Sequence, residues 1–530
     1  MPTVLLLGGL VAGIVVLTPL ADRWRVPLPV LLTLFGLVVP LLPGVPALRI
    51  EPGVILPVVL PPLLFAATQR ATARDFLENA RPIALLAVGL TLATAAAVGL
   101  VAHLLGVPWG PALVLGAVVA PPDPVAATAV GRRLRLPGRL VAVLEGEGMF
   151  NDATALVLYK VSVAAVVAGG LTAGDLTRSL LLAVGVGLGL GFAAGLLGRA
   201  ALAVLHLAAP ETTVTLVLPF LAYLLADRLG GSGVLAVLVL GLYLRTFGHR
   251  AVTSGGWLLG RAVWRYADYI VTSLVFVLIG FELTAVLRHQ PLDGPLTGLA
   301  LAVCGTLVVV RFGWLFTAAA LGRRTGAGTS ASGTAGARET LVTSWAGMRG
   351  VVTVATALAL PTTVDGGADF PARRTLVLVA LVAVLVTLVV QGLTLAPLVR
   401  RLDVGTDVDV EAEERRLRRR ATAAALDAVR GGLGDDVPAR VRSAVTLQYE
   451  GYLAAQDALG EARTGTGPAT AENGAEPDHG DERAVEELLQ GAAEVERDLV
   501  IEARRRGEVS AEAADNVLDD IESRSARDSG

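Results

Sequence analysis

The sequence predicts an all-α polytopic membrane protein of about thirteen transmembrane helices, followed by a helical tail. Of its 530 residues, 54% are hydrophobic, and the mean hydropathy is +0.65. Soluble domains rarely reach that value. The apolar residues also come in long runs, such as VLLLGGLVAGIVVLTPLA and ALLAVGLTLATAAAVGLVAHLL. Each is long enough to cross about 30 Å of hydrocarbon as a helix. Such runs recur to about residue 400 and stop there; a removable secretory signal leaves one such segment, not a dozen. Charge changes sign at the same boundary. Residues 401–530 hold 30 acidic and 17 basic side chains, a net of −13, whereas residues 1–400 carry a net of +10. The chain is therefore expected to divide into a transmembrane domain over 1–400 and an acidic, helical, soluble tail over 401–530.

Taken in order, helices are expected near 3–20, 27–44, 53–69, 82–105, 109–131, 140–168, 176–205, 211–227, 231–247, 265–287, 295–322, 338–361 and 372–399. The third holds Pro57, Pro61 and Pro62, which membrane helices tolerate better than soluble ones. Arginines set the orientation. Arg23 and Arg25 follow the first helix, Arg70, Arg74 and Arg81 the third, and Arg132, Arg133, Arg135 and Arg139 the fifth. Arg245, Arg250, Arg261 and Arg265 lie on or beside the connection after the ninth, and Arg323, Arg324 and Arg338 follow the eleventh. Even-numbered connections hold only Arg49, Arg178, Arg228, Arg288, Arg373 and Arg374. The excess of basic residues on cytoplasmic loops places the odd connections and the tail inside, and the N-terminus outside. In the tail, EAEERRLRRRATAAALDAVR and ERAVEELLQGAAEVERDLVIEARRRG are rich in helix formers. The segment 464–481 between them has the composition of a disordered linker.

Composition also excludes some chemistry. Cys304 is the only cysteine, so no internal disulfide forms. Lys160 is the only lysine and stands in no phosphate-binding loop, which argues against ATP-driven pumping by this chain. The five histidines show no metal-ligand spacing. No cofactor and no nucleic-acid partner is expected.

Two apolar helices are interrupted. The fifth reads VVAPPDPVAATAV, with Pro121, Pro122, Asp123 and Pro124 in mid-span; the twelfth reads SWAGMRGVVTV, with Gly347, Arg349 and Gly350. Prolines remove backbone donors and glycines loosen a helix. If helices 1–6 and 8–13 are repeats, the two breaks are counterparts, and paired broken helices point to a transport site. Two unrelated kinks are the alternative, weakened by the aspartate in one break and the arginine in the other. The sixth helix, LEGEGMFNDATALVLYKVSVAAVV, carries Glu145, Glu147, Asn151 and Asp152 in or near an apolar span. Ionisable groups there face a cavity or a partner. At about 100° per residue, Glu147 and Asn151 share a face, and Asp152 points about 140° away from Glu147. Asp152 is therefore expected to face water and the transported ion, and Glu147 to face packed protein and a basic partner. Arg311, within LVVVRFGWLF, is the leading partner. Lys160 is expected to have a structural role, and Asp227 and Glu282 to lie near span ends.

The motifs LPPLLF, PPDPVA, EGEGMFNDATALVLY and WAGMRGVV, in this order and spacing over about residues 5–400, resemble the sodium/proton exchanger family. That family includes the bacterial NhaP-type and YjcE-type antiporters and the mammalian NHE exchangers. The tail segment LVIEARRRGEVSAEAADNVLDDIES is similar to bacterial members. The resemblance implies a homodimer of thirteen-helix protomers, each with two inverted repeats and crossed, discontinuous helices 5 and 12. It implies that Asp152 binds cation and proton alternately, that Asn151 supports the crossing, and that Glu147 pairs with Arg311. Asp123 and Arg349 then compensate the half-helix dipoles. Three positions depart from the NhaP-type pattern: Pro122 replaces threonine, Gly148 serine, and Ala66 glutamate. Fewer side-chain oxygens remain for the ion, leaving Asp152, backbone carbonyls near Pro122 and water.

The expected activity is secondary active exchange of a monovalent cation, with Na+ favoured, for H+ across the plasma membrane, without a covalent step. A K+/H+ exchanger of the same fold, a cation channel, and a membrane signalling protein are the alternatives.

Overall fold

The computed structural model describes residues 2–24, 26–43, 45, 51–70, 80–123, 127, 131, 134, 136–170, 173–248, 251–289, 293–324, 336–404, 410–433, 437–462, 479–506 and 508–528. Among these the secondary structure is helical, apart from one isolated bridge between Thr363 and Asp369. The chain forms two compact units: residues 1–201, 213–249 and 263–406 in one, and residues 202–212, 250–262 and 407–530 in the other.

The first unit is an all-α membrane fold. In chain order its helices are α1 (Pro2–Trp24), α2 (Leu28–Val38), α3 (Pro52–Arg70), α4 (Ala80–Leu104), α5 (Trp109–Val119) and α6 (Gly138–Val167). Then come α7 (Ala173–Val204), α8 (Ala208–Arg228), α9 (Gly233–Phe247), α10 (Ser254–His289) and α11 (Gly294–Arg324). Two short pieces, α12a (Ala337–Trp345) and α12b (Val351–Leu358), precede α13 (Arg373–Leu402). The last residues of α7 and the first turns of α8 and α10 fall within the second unit. Among the described residues, α1, α3, α4, α6, α7, α8, α10, α11 and α13 are long and apolar enough to span a membrane. Shorter apolar helices cover Leu28–Leu41, Trp109–Val119 and Gly233–Phe247.

Where the helices differ from expectation, the cause is local. The fifth, expected over 109–131 with an interruption in mid-span, stops as α5 at Val119, just before Pro121 and Pro122. Neither proline has an N–H to continue the ladder. The twelfth divides where its glycines were expected to interrupt it, around Ala346–Gly350. The tenth was expected from residue 265, yet α10 begins at Ser254. Its first turns, SGGWLLGRAVWRY, mix charge with apolar residues, so hydropathy alone passes over them. Within α4, Leu85–Leu90 widens into a π-turn that nothing in the sequence marks.

The second unit is built on α14 (Val410–Arg430), α15 (Ala439–Ala462), α16 (His479–Arg506) and α17 (Ala511–Asp528). Leu417, Ala421, Val500, Val517 and Ile521 form one apolar core, against which Trp257 packs, and Ala425, Val429, Val445 and Leu489 belong to a second. Arg261 donates to the Asp515 carbonyl at 2.9 Å and to Asp519 Oδ1 at 2.5 Å, and Arg497 donates to Ser254 Oγ at 3.2 Å. The tail thus holds the start of α10 within its own unit. Ser510 opens α17, accepting from Ala513 N at 3.3 Å. Of the linker expected over 464–481, residues 464–478 lie outside the described residues. Residues 479–481 are the first turn of α16 rather than linker.

Candidate functional site

The break in α5 meets the break in α12. Asp123 N donates to the Met348 carbonyl at 2.6 Å, so the two interrupted backbones bond to each other. A helix end leaves orphan donors or acceptors that need partners when buried, and side chains from the two breaks supply them. Val351 N, at the start of α12b, donates to Asp123 Oδ2 at 3.2 Å. Arg349 Nε donates to the Val119 carbonyl at 2.9 Å and Nη2 to the Ala120 carbonyl at 3.3 Å, at the end of α5. Its Nη1 donates to the Gly347 carbonyl, just beyond α12a. The carboxylate therefore sits at a positive helix end and the guanidinium at negative ones, the arrangement that helix dipoles favour.

Two glycines make this approach possible. A Cβ at Gly350 would lie 1.5 Å from Asp123 Oδ2, and one at Gly347 would lie 2.4 Å from Arg311 Cδ. Any side chain at either position displaces an ionic group that the crossing uses.

Helix α6 runs beside the crossing. Asn151 is buried and donates from Nδ2 to the Pro122 carbonyl at 3.0 Å, tying α6 to the first break. Its Oδ1 is also buried and takes no hydrogen bond among the described residues. One turn earlier, Glu147 faces packed protein. Arg311 Nη1 and Nη2 reach its two carboxylate oxygens at 2.5 and 2.9 Å, with side-chain exposures of 3% and 2%. Arg311 Nε also donates to the Thr343 carbonyl in α12a at 3.2 Å. The pair thus binds α6, α11 and α12a together.

Asp152 points elsewhere and is half-buried. No cation is paired with it among the described residues, and the carboxylate of Asp123 lies within electrostatic reach. Ala66 on α3 is buried, as are Pro122 and Gly148.

The sequence expectations placed Asp152, Asn151, Asp123, Pro122, Glu147, Arg311 and Arg349 in one region, and the structure brings them to the helix crossing. Two partners were not foreseen. Thr387 on α13 accepts from Arg349 N at 3.1 Å; a threonine within the apolar run LVALVAVLVTLVVQG was the available signal. Lys160 is paired with Asp227 at the end of α8, a cross-helix contact that no spacing rule gives.

Residues 10–401 match the family profile described as sodium/hydrogen exchanger, transmembrane. The chain belongs to the sodium/hydrogen exchanger family. It is 38% identical over 430 residues to an uncharacterised Na+/H+ exchanger of Mycobacterium bovis, covering 79% of this chain and 78% of that one. It is 28% identical over 426 residues to a sodium, potassium, lithium and rubidium/H+ antiporter of Bacillus pumilus, covering 78% and 63%. The solved sodium/proton antiporter of Methanocaldococcus jannaschii at pH 8 shares the fold, with a TM-score of 0.60 at 18% identity over 77% of this chain and 100% of that one. As a member of the sodium/hydrogen exchanger family, the protein is a multi-pass cation/proton antiporter, a transporter rather than an enzyme.

Proposed function

We propose that this exchanger carries Na+ in one direction and H+ in the other on a single carboxylate, that of Asp152. The observation that carries the reading is the contrast along α6. Glu147 is held by both guanidinium nitrogens of Arg311, whereas Asp152 is half-buried beside a second carboxylate and paired with no cation among the described residues. A carboxylate in apolar surroundings holds a proton more readily than in water, and its ionised form takes a cation. Asp152 and the spare Asn151 Oδ1 supply oxygen to that cation, with Asp123 behind them at the break. Asn151 and Arg349 keep the crossing in register. The helices form two inverted repeats in a thirteen-span protomer that pairs as a homodimer in the plasma membrane. The N-terminus lies outside and the tail inside. The tail shares its unit with residues 202–212 and 250–262, which are connections on the side assigned to the cytoplasm. Residues 1–400 form the transporting domain and 401–530 the tail.

Asp152→Asn tests the carrier. An amide neither titrates nor presents a full charge, so cation-driven proton flux in proteoliposomes is expected to disappear while the protein stays folded. Normal flux in this variant ends the proposal.

Exchange is expected to be electroneutral. Asn151 does not titrate, position 66 offers no carboxylate, and Glu147 is committed to Arg311. One charge alternates, neutralised by one proton or one monovalent cation. The reversal point under opposed ion gradients should then stay fixed when a valinomycin-clamped potential is applied. K+ is the second candidate substrate. The site lacks side-chain oxygens at Ala66, Pro122 and Gly148, and the Bacillus pumilus relative is named for several alkali cations. Flux with Na+, Li+ and K+ offered in turn separates the two readings.

A further inference from the structure

The two directions along α6 from Asp152 are unlike. Seven residues toward the start of α6 stands Glu145, half-buried like Asp152 itself; seven residues the other way stands Tyr159, buried at 4% exposure. Seven residues are about 10 Å of helix and return within about 20° of the same face. One face therefore carries a half-buried carboxylate on one side of Asp152 and a buried tyrosine on the other. Ala155 and Leu156, between Asp152 and Tyr159, are buried too.

The layer has a second wall. Tyr223 on α8 is 3% exposed and stands one helical turn before Asp227. Next to Tyr159 on α6, Lys160 pairs with Asp227 and also points Nζ at the Gly231 carbonyl in the α8–α9 turn, at 3.4 Å. Arg373 acts on Tyr159 from the start of α13, donating from Nε to the Leu360 carbonyl at 2.9 Å. This is the end of the unit at which α13 begins, the end that the arginine distribution assigns to the outside.

The helices on the two sides of the layer are held by different bonds. The polar bonds of α6 described above run to α5, α11 and α12a. Those of α8 and α9 run elsewhere. Trp264 of α10 reaches Thr215 at 3.4 Å, and Ser232 N donates to the Ala183 carbonyl of α7 at 2.9 Å. The Lys160 contacts cross between these groups. Exchange on one carboxylate requires that Asp152 face the two sides of the membrane in turn, so one group must shift against the other. A half-exposed ion pair between them, at 35% and 45% side-chain exposure, can be made and broken at little cost.

We propose that Tyr159 and Tyr223, latched by Lys160 and Asp227, form the outer gate of this exchanger, closed in the conformation described here. The gate rests on the reading that Asp152 is the carrier, but its test needs no transport. Leu156→Cys, in a Cys304→Ser background, places one thiol between Asp152 and the gate. A membrane-impermeant maleimide added on the outer face should label it slowly. Tyr159→Ala should raise that rate about tenfold. Lys160→Ala should raise it by no more than about fivefold, because half-exposed pairs are weak. The single reversal Lys160→Asp should also label fast, and Lys160→Asp with Asp227→Lys, which restores the pair in reverse, should return the rate toward background. Equal rates in all variants, with thermal stability retained, overturn the gate. A double reversal that labels as fast as Lys160→Asp overturns the latch. Variants that unfold are replaced by Tyr159→Leu and Lys160→Gln, with the same expected order of rates. Asp152→Asn flux is scored separately, so a failed carrier and a failed gate give different results.

Discussion

Two buried glutamate–arginine pairs, one in each unit, have the same chemistry and different company. Glu147 and Arg311 are 2% and 3% exposed, and Arg311 spends its remaining nitrogen on a backbone carbonyl beside a broken helix. Glu496 and Arg524 are 1% and 12% exposed and join α16 to α17, both unbroken. Thr422 of α14 donates to Glu496 at 2.8 Å, and the Arg524 guanidinium lies over the Tyr452 ring at 5.0 Å. In the membrane unit, ionic side chains complete backbone that the fold has interrupted, where lipid offers no substitute partner. In the tail they tie whole helices to one another. The membrane pair should therefore be the costlier to break.

The largest expected effect follows directly. Removing one partner of a buried pair leaves an uncompensated charge, at a typical cost of about 3–5 kcal/mol. Glu147→Ala and Arg311→Ala should each lower stability by that order, and the double variant should lose less than the sum, as read by thermal unfolding in detergent. Additive losses would show that the two do not act as a pair. If Arg524→Ala in the tail costs as much as Arg311→Ala, broken backbone is not what sets the difference.

A smaller effect sharpens the comparison at the break itself. Gly350→Ala puts a methyl where Asp123 Oδ2 now lies, 1.5 Å from the ideal Cβ. Overpacking typically costs about 1–3 kcal/mol. The carboxylate must also leave Val351 N, so flux should fall more than stability does. Tail glycines meet less: Gly451 has open space around its Cβ position. Gly451→Ala should be nearly silent in both measurements.

Much of the membrane unit was legible in the sequence because its signals are physical extremes. A run of apolar residues admits one structure in lipid, and three prolines around an aspartate interrupt α5, whereas Pro61 and Pro62 alone leave α3 continuous. The residues of the crossing were legible for the same reason, each being a polar group placed where polarity is expensive. Angular spacing alone separated Glu147 from Asp152. The partners were harder to see. Arg311 was the leading candidate because it stands alone in an apolar run, but Thr387 bonds through a hydroxyl that many membrane helices carry without consequence. Asp227 meets Lys160 across 67 positions of sequence, and no periodicity encodes that. The start of α10 was missed because Trp257 and Arg261 serve the tail, so their segment follows neither the hydropathy of a span nor the polarity of a loop.

The smallest expected effect concerns the tail pair and its sign. Burial pushes the Glu496 carboxyl up from its ordinary range, and Asp520 pushes it further, while Arg524 and the Thr422 hydroxyl pull it back. The net direction is up, so the folded tail holds this proton more tightly than the unfolded chain does, where glutamate titrates at about 4.3. Stability falls with rising pH wherever the folded state binds more protons. The contribution of Glu496 is therefore most favourable below the unfolded value. It declines as pH rises through the raised one and is flat above it. Glu496→Gln removes the titration and keeps a group that can bond Thr422. Hydrogen exchange of the α16 amides in the full-length protein, corrected for intrinsic rates, should show protection that declines across this window. The decline should be reduced in Glu496→Gln. Protection that instead rises with pH, with the rise lost in the variant, would mean that Arg524 outweighs burial. The tail pair would then act as an ion pair rather than as a buried acid, and the contrast between the two units would fail at the point where it is easiest to measure.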